Sequence, residues 1–117
     1  MHFYKIDNTV IASNDTLPYA ELIPNTSDGA GEKHVPVISI NDNTVTVSVG
    51  SVVHPMLEAH YIAFIALEID LNGLPSFQQK WLKPGMKPEA VFELTTGERL
   101  IAAYEYCNLH GLWKAER

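Results

Sequence analysis

The chain has 117 residues, a formal net charge of −6 and a single cysteine. That length and apolar content suit one ordinary domain with a real core, and no run of ~18 apolar residues offers a membrane span. The acidic balance argues against nucleic acid or an anionic membrane as partner. One cysteine cannot close an internal disulfide, which fits a reducing, cytoplasmic setting and leaves the thiol as a candidate ligand or nucleophile.

Residues 1–30 are weakly patterned. Met1-His2-Phe3-Tyr4-Lys5 lacks the form of a secretory leader, so none is expected. Phe3–Ile6 and Thr9–Ala12 read as short strands. Ile23-Pro24-Asn25-Thr26-Ser27-Asp28-Gly29-Ala30-Gly31 is rich in turn and linker residues, and a boundary is expected near Asp28–Gly31.

From His34 onward the pattern is that of strands. Val35–Ile40 is a largely β-branched run, and Asn41-Asp42-Asn43 is a turn. Thr44–Val49 alternates strictly, with Val45, Val47 and Val49 on one face and hydroxyls on the other; Gly50 ends it. Met56–Ala59 reads as one helical turn. Tyr61–Ile69 is apolar on both faces up to Glu68, so helix and strand templates both fit. The turn at Leu71-Asn72-Gly73 and the aromatic and β-branched content favour strand. Phe77–Leu82 and Ala90–Leu94 follow. Thr95-Thr96-Gly97-Glu98 is expected as a hairpin turn, Arg99–Tyr106 as the next strand and Leu112–Ala115 as the last. Many short strands and no long helix predict an all-β fold, a β-sandwich.

The chemistry-bearing residues fall at strand ends and loops. They are His34, His54, His60, Cys107 and His110. Cys107 and His110 stand three apart, with Gly111 behind them to let the backbone approach closely. By itself that spacing fits a buried, inert thiol beside a surface histidine equally well. His54 and His60 would lie ~20 Å apart on a straight strand at ~3.3 Å per residue, so they share an ion only if the chain between them turns. Pro55 holds His54 extended and interrupts regular structure there. Each histidine alone is an ordinary hydrogen-bonded residue. Together they make five N/S donors, more than the four that a structural zinc site takes. Four imidazoles in a plane with one axial thiolate suit iron and leave a sixth position open.

Four motifs carry a resemblance. They are Glu32-Lys33-His34-Val35-Pro36-Val37, His54-Pro55-Met56-x-x-x-His60-Tyr61-Ile62, Leu82-Lys83-Pro84-Gly85-x-x-Pro88-x-Ala90-x-Phe92, and Tyr106-Cys107-Asn108-x-His110-Gly111-x-Trp113-Lys114. In this order they resemble superoxide reductase, specifically the iron domain shared by desulfoferrodoxin and neelaredoxin. The resemblance covers residues 31–117. It implies an immunoglobulin-like β-sandwich with a short N-terminal extension, and a mononuclear iron with equatorial His34, His54, His60 and His110 and axial Cys107. It also implies Glu32 as the sixth ligand of the ferric resting state and Lys33 as the cation that attracts superoxide. The implied activity is one-electron, inner-sphere reduction of superoxide to hydrogen peroxide. A small donor such as rubredoxin would restore the ferrous iron, and a homo-oligomer (dimer or tetramer) is expected.

Two-iron members of that family begin with a cysteine-ligated module. Residues 1–30 contain no cysteine and read as its metal-free remnant. Lys33 has a physical argument of its own, since capture of an anion by an acidic protein needs a local cation. Tyr61, Trp113 and Pro36 are expected to pack around the imidazoles with no chemistry assigned. Glu58 and Glu105 are expected as surface acids able to orient an imidazole. An iron electron carrier or redox sensor without turnover, and a zinc-holding structural module, are the alternatives.

Overall fold

The computed structural model describes residues 1–29 and 33–117. The described residues include no helix and form ten strands. In chain order these are β1 (His2–Ile6), β2 (Thr9–Ser13), β3 (Glu21–Leu22), β4 (Pro36–Asn41) and β5 (Thr44–Val49). Then come β6 (Ile62–Leu71), β7 (Leu74–Trp81), β8 (Glu89–Glu93), β9 (Glu98–Cys107) and β10 (Gly111–Glu116). A four-stranded sheet β10-β9-β6-β7 faces a three-stranded sheet β4-β5-β8, which is the seven-strand, two-sheet plan of an immunoglobulin-like sandwich. A small third sheet, β2-β1-β3, covers the outside of the four-stranded one.

The sequence pattern explains the layers. Along β5, Val45, Val47 and Val49 are buried and the hydroxyl residues between them are not. The outward Thr44 and Ser48 donate to Glu93 and Glu89, their direct cross-strand partners on β8. β6 is apolar on both faces because both faces are covered. Ile65, Leu67 and Ile69 join the core between the two main sheets, while Phe64 and Ala66 join a second core with Phe3, Val10 and Tyr104. A register irregularity between Ile62 and Phe64 lets Ile62 also face the inner core.

The two-residue turns fall where expected. Asp42 (φ 55°), Asn72 (φ 51°) and Gly73 (φ 89°) adopt the positive φ such hairpins need. Three expectations change. Met56–Ala59 is not a helical turn; Leu57 and His60 exchange both backbone hydrogen bonds at 2.9 and 3.0 Å, closing a tight turn. Thr95–Glu98 does not close a hairpin, because β8 pairs with β5 and β9 with β6, so this turn passes between sheets. β7 starts at Leu74 rather than Phe77, because the tight Asn72-Gly73 turn lets pairing with β6 begin at once. No helix among the described residues is long and apolar enough to cross a membrane.

Candidate metal centre

One end of the sandwich gathers five chemically similar donors. His34 sits just before β4, His54 follows β5, His60 precedes β6, Cys107 is the last residue of β9, and His110 lies in the turn before β10. Residues far apart in the chain meet there because sandwich loops cluster at the two ends.

The geometry is close. His34 Nε2 lies 3.1 Å from His54 Nε2 and 3.2 Å from His110 Nδ1. Cys107 Sγ is 3.9 Å from His110 Nδ1. The donor atoms of His34, His54, His60 and Cys107 all lie within 4.8 Å of one another. The four rings form a closed cycle. Centroid separations run 4.7 Å (His34–His54), 4.7 Å (His54–His60), 5.1 Å (His60–His110) and 4.9 Å (His110–His34), each pair meeting edge-on. His34, His54 and Cys107 are buried, whereas His110 is exposed, so the cycle has one side toward water.

A single bound cation would account for this convergence. A ring nitrogen carries either one proton or one lone pair, so His34 Nε2 cannot donate to both imidazole nitrogens that face it. Metal–imidazole bonds of about 2.1 Å set two nitrogens about 3.0 Å apart at right angles and about 3.4 Å apart tetrahedrally. The separations of 3.1 and 3.2 Å fall in the range that a shared ion would set. His54 Nδ1 lies 2.7 Å from the Pro55 carbonyl, which can only accept, so the proton is on Nδ1 and the Nε2 lone pair points inward.

The scaffold around the donors is equally specific. Asp28 Oδ1 accepts the backbone N–H of His34 at 2.6 Å and of Val35 at 3.0 Å. Asn108 joins the Cys107 loop to the His60 segment through three bonds. Its Oδ1 accepts the Tyr61 N–H at 2.9 Å, its Nδ2 donates to the Ala59 carbonyl at 3.1 Å, and its backbone N–H donates to the Tyr61 carbonyl at 3.2 Å. Gly111 closes the three-residue turn at φ 82°, a conformation that suits glycine. Trp113 stacks on the His34 ring, as the expected packing role implies.

Lys33 is half-buried, and its ammonium donates to the Gly29 carbonyl at 3.2 Å. Its backbone rests against Gly50. A Cβ there would come within 2.7 Å of the Lys33 carbonyl carbon, so Gly50 serves a close approach as well as ending β5. The expected sixth ligand, Glu32, lies outside the described residues.

Glu105 overturns an expectation. It is fully buried rather than a surface acid, and neither carboxylate oxygen has a hydrogen-bond partner among the described residues. Burial, and then the charge of Asp28, push its pKa up to about 9. Strand parity carries this signal, because Ala103, Glu105 and Cys107 share one face of β9 and that face is the core. Asp28 was legible only as a turn residue. An Asp side chain that accepts backbone N–H groups a few residues on is a recurrent turn device, but nothing in the sequence fixes which N–H groups it takes.

An immunoglobulin-like sandwich carrying a His/Cys group at one end defines a class of metal-binding β-proteins. Residues 26–116 match the desulfoferrodoxin family, and the chain belongs to it. It is 50% identical over 99 residues to a desulfoferrodoxin of Syntrophotalea carbinolica, covering 85% of this chain and 74% of that one. The superoxide reductase of Treponema pallidum superposes with a TM-score of 0.72 at 34% identity, over 97% of this chain and 79% of that one. A superoxide reductase (1Fe-SOR) from Giardia intestinalis gives 0.67 at 33% identity, over 74% of this chain and 98% of that one. Proteins of this family bind a mononuclear iron, and the donor set described here fits such an ion.

Proposed function

We propose that this chain is a superoxide reductase. It reduces superoxide to hydrogen peroxide, consuming one electron and two protons, with His34, His54, His60, His110 and Cys107 holding the iron. The observation that carries the reading is the closed cycle of four imidazoles with a buried thiol beside it, drawn from separate segments of the chain. Bound iron would supply the electron by passing from ferrous to ferric.

The chain's own residues do the rest. Cys107 sits at the buried end of β9, where a thiolate is shielded from water and from adventitious oxidants. Exposed His110 marks the side from which a small anion reaches the centre. The net charge of −6 opposes that approach, and Lys33, next in sequence to His34, offsets it locally. Glu32 is assigned to the ferric resting state. Electrons return from a small protein donor such as rubredoxin, and the chain works in the cytoplasm as a homo-oligomer. Residues 1–30 are a metal-free remnant of a cysteine-ligated module attached to the iron-binding sandwich of 31–117.

Metal analysis with a visible spectrum tests the reading. Oxidised protein should hold one iron per chain and show a thiolate-to-iron charge-transfer band that Cys107→Ser removes. The reduced protein should yield peroxide from superoxide without releasing dioxygen. A coloured protein that gives no peroxide would be a carrier or sensor, and a colourless one with a single zinc would be a structural module.

A further inference from the structure

Resting on the metal centre proposed above, we propose that Trp113 is a positioning residue that fixes His34 and His110 relative to each other and so slows release of the ion. His34 is in an irregular segment before β4. Asp28 holds its backbone N–H, and the indole of Trp113 bears on the ring itself. It lies face to face on the His34 ring, with centroids 4.7 Å apart and planes 14° apart. The rings of His54 and His110 meet His34 edge-on instead. The indole face thus bears directly on the plane of His34, whose Nε2 lies 3.1 Å from His54 Nε2 and 3.2 Å from His110 Nδ1.

The same side chain restrains the other donor. His110 is exposed at the tip of a three-residue turn. Trp113 Nε1–H donates to the His110 carbonyl at 3.1 Å and pins that turn. One residue thus governs two nitrogens that stand 3.2 Å apart. Trp113 is itself held on both sides. It pairs with Glu105 on β9, while Asn25 donates to the Leu112 carbonyl and accepts the Lys114 N–H, both at 2.9 Å.

The two contacts separate by substitution. Trp113→Phe keeps a ring to stack and loses the N–H bond; Trp113→Leu loses both. The full chain loaded with cobalt(II) is mixed with excess chelator, and release is followed at the thiolate-to-cobalt charge-transfer band. Partners that orient ligands typically change metal affinity about 10–100-fold. Trp113→Leu should release cobalt at least about 10-fold faster than wild type, with Trp113→Phe in between and the metal-free melting temperatures of all three close together. Equal release rates would overturn the proposal, as would a loss of metal that merely follows a lowered metal-free stability.

If Trp113→Leu does not fold, a second measurement decides. Trp81→Phe leaves Trp113 as the only tryptophan of the two in the chain. Cobalt binding should then quench its emission strongly, and unchanged emission with cobalt bound would overturn the proposal. A wild-type protein that takes up no cobalt would refute the metal centre itself, a distinct result.

Discussion

Asp28 holds His34 by the main chain: its Oδ1 accepts the His34 N–H at 2.6 Å. It takes the Val35 N–H as well, so one side chain fixes the entry into β4. Hydrogen bonds to a charged group are worth about 1.5–3 kcal/mol each, and these two are part-buried, so water recovers some of the loss. Asp28→Ala should therefore cost on the order of 2–4 kcal/mol in urea unfolding of the metal-free protein, and should weaken metal retention. Asp28→Asn, which keeps an acceptor, should restore most of both.

Lys33→Ala should slow the second-order reaction with superoxide while leaving iron content unchanged. Unit charges ~8 Å apart in water interact by roughly 0.5 kcal/mol, so the expected slowing is about twofold. The difference between the two proteins should shrink at high ionic strength, as screening removes the attraction. Pulse radiolysis over a salt series gives the answer, and identical rates at low salt would exclude the role.

Gly50→Ala acts on the same arm from beneath. The added Cβ would press on the backbone of Lys33 and stand 3.1 Å from its Cβ. Main chain yields less readily than the end of a flexible side chain, so overpacking of about 1–3 kcal/mol is expected. The substitution should lower the unfolding midpoint and, unlike Lys33→Ala, should also loosen the metal, because His34 follows directly.

Glu105 gives the metal-free protein a pH dependence of definite sign. Its folded pKa is raised to about 9, against an ordinary 4.5. Between those values the folded chain keeps a proton that the unfolded chain has released. Stability is therefore fully present below about 4.5 and falls as pH rises toward about 9. Each pKa unit corresponds to ~1.4 kcal/mol, so the change is on the order of a few kcal/mol. Glu105→Gln should flatten the profile and be the more stable protein at the alkaline end. Equilibrium unfolding of the two metal-free proteins across that range tests it.

Much of the fold is written in local patterns. The alternation of Thr44–Val49 and the turn residues Asp42 and Asn72-Gly73 each act within a few positions, so their outcomes follow from neighbours alone. β6 was ambiguous for a physical reason, since a strand covered on both sides loses its period-two signal. That His34, His54, His60, Cys107 and His110 would gather was suggested by the order of the motifs, whereas the contacts around them were not. Asn108 reaches Ala59 and Tyr61 across nearly fifty residues, and Trp113 on β10 meets His34 in the segment that leads into the opposite sheet. Such contacts are decided by how the sheets stack. Glu105 is the exception, since its parity with Cys107 was available and its type alone suggested the surface.

Phe3, stacked on Phe64 and tilted against Tyr104, is where the small N-terminal sheet grips the sandwich. Cutting the chain after residue 30 would leave Phe64, Ala66, Ala102 and Tyr104 facing water as one sticky patch. Such a fragment should clump and invite protease attack, and it would also lack the Asp28 bond to His34 and the Asn25 bonds that flank Trp113. The cysteine-free segment thus acts as a shield, keeping an oily face of the sandwich out of water.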